Sequence, residues 1–320
     1  MSRALTAPER VSEATRVRVS EAVAATGYTV NQSARSLRMR NAKTILIATP
    51  NIGNPFYSMI LDAVVQDAAA RGYGVLVANR LEGDSTSRLK DYFYSNRADG
   101  LLLFDSRIDL CGFEDLPLHH GNRPIVLSCD DVPDVDIDMV MTDNRNAADS
   151  AVQHLIDLGH TRIGTVSGPH VPGMTNERQA GFERAMVRAG LPLRPEWQLA
   201  GNYAIGSGFA AGEALLALSD RPTAMFCAND EMAIGLISAL QHGGITCPRD
   251  ISIVGFDDVI SAPYVTPALT TMQQPRYAMG RLATKVLLDI LDGTSKSHTP
   301  QLRILKSELI VRGSTAPPSH

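Results

Sequence analysis

The chain has 320 residues, 44% of them hydrophobic and 20% charged, with a net charge of −4; that length allows two or three domains of roughly 100–200 residues, and that composition excludes a disordered protein. No apolar run approaches the ~20 residues of a membrane span, and the opening MSRALTAPERVSE lacks the apolar core of an export signal, so a cytoplasmic protein without membrane partners is expected. Cys111, Cys129, Cys227 and Cys247 lie far apart, with no CxxC pair and no His at metal-ligand spacing, which argues against a metal centre and leaves Cys129 and Cys227 as buried thiols.

Ser2 to Leu5 has helical composition but stops at Thr6-Ala7-Pro8. A second helix starts at Ser12-Glu13-Ala14-Thr15 with Ser12 as its N-cap, carries Val17, Val19, Ala22 and Val23 on an apolar face, and ends at Gly27. One and a half helices cannot close a core of their own, so residues 1–27 read as an incomplete unit. Tyr28 to Lys43, YTVNQSARSLRMRNAK, gathers Arg35, Arg38, Arg40 and Lys43 around Leu37 with no acid among them. Residues 1–43 hold seven Arg and one Lys against three Glu, a net +5 that leaves −9 for the remainder. A basic end on an acidic body suits an arm that binds a polyanion by releasing counterions from phosphates. A solvated helix surface would give the same count, and charge alone does not separate the two.

From Lys43 onward, apolar strands alternate with amphipathic helices. KTILIAT, YGVLVAN, DGLLLFD, PIVLS and DMVMT read as strands, with helices over 56–71 and 85–97 between the first three. The pattern repeats after residue 143: a helix over 146–158, the strand TRIGTVSG, a helix over 176–189, a short strand at 197–200, a helix over 207–218, TAMFCAN, a helix over 230–242 and ISIVGF. LTTMQQ, a helix over 276–291 and a final strand QLRILKSELIV (301–311) close the chain. The fold class is therefore α/β, with two doubly wound lobes and a cleft at the carboxyl ends of their strands.

The residues at those strand ends are polar in both hydrogen-bonding senses, with aromatic rings among them: Asn54-Pro55-Phe56-Tyr57, Phe104-Asp105, Asp130-Asp131, Asn229-Asp230, Asp257-Asp258 and Gln273-Gln274. Such a set suits a polyhydroxylated ligand. Asp and Asn at these places also serve as helix caps. Asp230, Asp258 and Asn144 are read as caps, whereas Asp257 and Asp130, each the earlier of a pair, are read as ligand contacts. No GxSxG, HExxH or GxxxxGK[ST] motif is present, and Gly206-Ser207-Gly208 is a lone GSG, so neither an enzyme nor a cofactor is expected. His160 is read as a helix C-terminal cation or a structural hydrogen-bonding group.

Taken together and in order, SRALTAPERVSEATRVRV, GYTVNQSARSLR, IGNPFYS, LGHTRIG, NERQAGFERAM, TAMFCANDEMAIG, SIVGFDD, LTTMQQPRYAMG and ELIVRGST give a sequence that resembles the LacI/GalR family of bacterial transcription regulators over essentially its whole length. Within the family the pattern is similar to the cytidine-repressor type. The resemblance implies a helix-turn-helix remnant at 1–27, a hinge helix within 28–42, and two lobes of the periplasmic-binding-protein type at 43–143 plus 274–293 and at 144–273 plus 298–315. It further implies that the chain begins inside the recognition helix, with the true start expected upstream. Ser2, Arg3, Asn31, Ala34, Arg35, Leu37 and Arg38 would then face operator DNA, Leu37 wedging a minor-groove step. Phe56, Tyr57, Asp130, Arg178, Tyr203, Asn229, Asp257 and Gln274 would line the pocket of a sugar or nucleoside effector, with Arg178 clamping hydroxyls and Tyr203 stacking on the ring. The implied protein is a homodimeric regulator, most readily a repressor. The alternative is a solute-binding or sensor protein of the same fold without DNA output.

Overall fold

The structure is a computed structural model that describes residues 11–26, 41–79, 84–105, 107–129, 135–169, 173–294 and 299–319. It divides into two compact units, residues 1–43 and 44–320. In the first, helix α1 spans Glu13–Thr26 and opens on the Ser12 carbonyl, which accepts from the amides of Thr15 and Arg16. None of its residues is buried, so the apolar face expected there meets no described partner. Ser2, Arg3, Asn31, Ala34, Arg35, Leu37 and Arg38 lie outside the described residues.

The described residues of the second unit form two six-stranded sheets. The first uses β1 (Thr44–Thr49), β2 (Gly74–Asn79), β3 (Gly100–Leu103), β4 (Ile125–Ser128), β5 (Asp138–Thr142) and β11 (Leu302–Leu305) in the order β2-β1-β3-β4-β5-β11. The second uses β6 (Ile163–Ser167), β7 (Gln198–Ala200), β8 (Ala224–Cys227), β9 (Ser252–Asp257), β10 (Thr270–Gln273) and β12 (Glu308–Ile310) in the order β7-β6-β8-β9-β10-β12. Each sheet thus runs 2-1-3-4-5 and takes one late strand on its edge. All pairings are parallel except that of β12 with β10.

Parallel strands need cover on both faces, and the burial pattern supplies it. Along β1, Ile45 and Ile47 face one layer of the core while Leu46 and Ala48 face the other, and all four are buried. Helices α2 (Phe56–Ala70) and α8 (Arg276–Leu291) cover the first face through Ile60, Val64, Met279 and Leu287, each such side chain contributing about 1.5–3 kcal/mol. Helix α3 (Ser85–Tyr94), begun by the Asp84 cap, covers the other face with Leu89. The second sheet is sandwiched between α4 (Asn144–Asp157) with α5 (Met174–Arg188) and α6 (Ile205–Leu216) with α7 (Asp230–His242). The lone GSG has a packing role: a Cβ at Gly208 would sit 2.0 Å from the Met232 carbonyl oxygen, so its absence lets α6 and α7 touch backbone to backbone.

The single strand expected over 301–311 is two strands in different sheets. Leu302–Leu305 extends the first sheet beside β5, and Glu308–Ile310 caps the second beside β10. Residues 302–305, assigned from sequence to the second lobe, therefore belong to the first. The chain passes between the sheets three times, at 142–144, 273–276 and 305–308.

Candidate functional site

The carboxyl ends of both sheets open on one cavity of about 250 Å³. Its first-lobe wall is aromatic. The Asn54 side chain accepts from the Phe56 amide at 2.9 Å, which turns the chain into α2 and sets Phe56 and Tyr57 at the start of the helix. The two rings meet edge-on at 5.1 Å, and Tyr57 meets Phe104, just past β3, at 6.1 Å. Beyond Phe104, Asp105 grips Arg107 through Nε and Nη2, both at 2.7 Å. Arg107 lines the cavity too, and the Asp105 carboxylate holds its pKa above the ordinary value.

The second-lobe wall is built on Arg178, one turn into α5 and only 2% exposed. Its Nε donates to Asn144 Oδ1 at 2.9 Å, its Nη1 donates to the Ala228 carbonyl at 2.6 Å, and its guanidinium carbon lies 3.8 Å from the Phe256 ring centroid. Nη1 also stands 3.6 Å from Asp257 Oδ1, a buried ion pair. Asp257 is 3% exposed, ends β9 with φ +123°, and accepts from Gln274 Nε2 at 2.7 Å. Burial outweighs Arg178 and Gln274 and pushes its carboxyl up to about 6.

Tyr203 follows β7 with φ +66°, its hydroxyl sharing a 2.6 Å hydrogen bond with Thr175 Oγ1. It lies so close over Gly168 that a Cβ there would be 2.3 Å from the ring. Positive φ at two non-glycine residues of one cavity is strain of the kind that collects at functional sites. Asn229 Nδ2 donates to the Tyr203 carbonyl at 3.1 Å while Oδ1 accepts from the Met232 amide at 3.0 Å, so one N–H of the amide remains for the cavity.

Phe56, Tyr57, Arg178, Tyr203, Asn229 and Asp257 are thus brought to one cavity, as read from sequence. Asp130 lies outside the described residues. Gln274 is not on the wall: it is buried behind Asp257 and accepts from Thr142 Oγ1 at 2.8 Å. The cap readings are overturned. Asn229, not Asp230, caps α7, and Asp143, not Asn144, caps α4. Asp230 is fully buried and accepts from Thr271 Oγ1 and the Val259 amide; burial first, then the charge of Asp257, holds its carboxyl well above the usual range. Asp258 caps no helix and instead accepts from Arg312 and Gln273. Arg107, Thr175 and Asn202 also line the cavity and were not read from the sequence. The position of Thr175 in the first turn of the helix bearing Arg178 was the available signal.

Two parallel-sheet lobes joined by three passages, with a cleft lined by aromatic rings, amides and carboxylate–guanidinium pairs, define a ligand-binding module of the periplasmic-binding type. Residues 152–315 match the model of the periplasmic binding protein-like domain. The chain is 34% identical over 316 residues to the HTH-type transcriptional repressor CytR of Escherichia coli (strain K12), covering 98% of this chain and 92% of that protein. It is 34% identical over 308 residues to the HTH-type transcriptional repressor PurR of Photobacterium profundum, covering 95% and 90%. Among solved structures it is similar to a transcriptional regulator CelR–cellobiose complex, with TM-score 0.76, 29% identity and coverage of 98% and 94%. It is similar as well to a LacI family regulator from Enterococcus faecium with bound ribose, with TM-score 0.77, 27% identity and coverage of 86% and 99%. The chain belongs to the LacI family of transcriptional regulators, and the family resemblance read from its motifs holds. No described helix is long and apolar enough to cross a membrane.

Proposed function

We propose that the protein is a cytoplasmic repressor that binds operator DNA as a homodimer and responds to a small uncharged sugar or nucleoside held between its lobes. The observation that carries this reading is the buried Asp257–Arg178 pair facing an aromatic wall from the other lobe across one cavity. Carboxylate and amide groups accept and donate to ligand hydroxyls, and Phe56, Tyr57 and Tyr203 cover the faces of a ring. The proteins solved with cellobiose and with ribose support an effector of that class.

The charges support an uncharged effector. Among the described residues, each guanidinium lining the cavity, Arg107 and Arg178, already has a carboxylate, so none of these waits unpaired for a phosphate. A ligand contacting both walls favours a closed arrangement of the lobes and shifts the DNA-binding equilibrium by its differential affinity for the two states. On the DNA side, Arg35 and Arg38 would hold phosphates and Leu37 would wedge a base step.

The test is fluorescence anisotropy, with this chain beside an upstream-extended version, on DNA fragments selected from a random library, titrated with salt and with ribose, ribose 5-phosphate, cellobiose and cytidine. Specific binding by either version that an uncharged ligand shifts, and that ribose 5-phosphate does not, supports the reading. Only a salt-sensitive background from both versions, or DNA affinity that no ligand changes, overturns it. Asp257→Ala loses the ligand response while keeping DNA binding.

A further inference from the structure

Arg276 stands at the wrong end of its helix. It is the first residue of α8, where the helix dipole favours carboxylates over cations, and it is only 4% exposed. Burial lowers its pKa, and the nearby charges of Asp257, Asp230 and Asp258 only partly offset that. Its Nε is buried and meets no acceptor among the described residues. An arrangement this costly calls for a compensating role, and its hydrogen bonds indicate one.

Those bonds go to backbone carbonyls of both lobes. Nη1 donates to Pro55 at 3.3 Å and to Phe56 at 3.5 Å, in the turn that opens α2 and carries the aromatic wall. Nη2 donates to the carbonyl of Asp258, the residue after the cavity carboxylate. We propose that Arg276 is a positioning residue that sets the spacing between the two walls of the cavity, by tying the α2 turn of the first lobe to the Asp257–Asp258 loop of the second. Carbonyls report backbone position regardless of side chain, so the tie senses how far apart the lobes stand.

The loop it holds does not end at the cavity. It runs on to Ile260 and Tyr264, 74% and 82% exposed, which share a surface groove with Met59 and Tyr277 of the first lobe. A change of spacing at the cavity therefore reaches the surface through this loop.

The test is amide hydrogen exchange by mass spectrometry on the full ligand-free chain, comparing wild type with Arg276→Met and Arg276→Lys. The Met variant is expected to speed exchange about tenfold in residues 53–60 and 258–264 together, the scale of one lost charge-assisted hydrogen bond. Helices α6 and α7 should keep wild-type exchange, and Lys, which cannot reach all three carbonyls, should restore part but not all of the protection in both segments. A change in one segment alone, a uniform change that includes α6 and α7, no change, or no rescue by Lys overturns the proposal. If the Met variant does not fold, the Lys variant is read alone. Faster exchange in both segments then supports the tie, and wild-type exchange in either overturns it.

Discussion

Gln274 donates to Asp257 at 2.7 Å and, through its other amide atom, accepts from Thr142 at 2.8 Å, so one side chain links the end of β5 in the first sheet to the end of β9 in the second. It fixes the cavity carboxylate from behind. Gln274→Leu keeps the volume but leaves the Thr142 hydroxyl and one Asp257 oxygen without their partner. Unfolding in urea should show a loss of about 1–3 kcal/mol, and calorimetry should show effector binding weakened about tenfold.

Effector affinity should depend on pH through Asp257, whose carboxyl is pushed up to about 6. A hydroxyl donating to this group binds the ionised form. Binding therefore releases a proton when the pH is near or below that value, and affinity falls as the pH drops from 7.5 to 5. Calorimetry in buffers of different ionisation enthalpy measures the released proton directly. Asp257→Asn should flatten the profile.

Gly168 gives the Tyr203 ring its place, since a Cβ would approach it to 2.3 Å. Gly168→Ala should displace the ring, break its bond to Thr175, cost about 1–3 kcal/mol and weaken effector binding. Tyr203→Ala in the same chain should recover most of the stability and none of the binding. A double-mutant cycle by urea unfolding and calorimetry separates the two effects.

His160 joins the C-terminal tail to the second sheet: its ring nitrogens meet Thr223 Oγ1 and the Ala316 carbonyl, both at 2.9 Å. Of the two roles read from sequence, the structural hydrogen bond is the one observed. Burial lowers its pKa, so the ring is neutral when folded, and it contributes stability above the unfolded value of about 6.5 that is lost as the pH falls below it. Relative to wild type, His160→Gln should be less stable at pH 7.5 by about 1 kcal/mol, and the gap should close toward pH 5.5 in urea titrations.

Periodicity made the two α/β arrays legible, because Ile45-Leu46-Ile47 and Phe226-Cys227 are apolar on both faces as buried parallel strands must be. The switch of sheet inside LRILKSELI was not legible. Lys306 and Ser307 are ordinary strand-compatible residues, and only partners far away in sequence decide that Ile304 pairs with Met141 while Leu309 pairs with Met272. Phe56, Tyr57, Asn229 and Asp257 are legible from their places after strands, whereas Arg178 and Tyr203 are pointed to only by the family resemblance. The one-residue errors at Asp230 and Asn144 arose because a cap depends on backbone angles that composition does not reveal. Sequence places Gln274 near Asp257 but does not say on which side of the carboxylate, and the structure puts it behind, between Asp257 and Thr142.

The three passages between the lobes mean that neither lobe is a continuous stretch of chain. On the ribosome, β5 emerges about 160 residues before β11, the strand that finishes its sheet. The first lobe therefore waits with an open edge beside Thr142 while the second is synthesised. Both sheets are completed almost together, by the nine residues from Leu302 to Ile310.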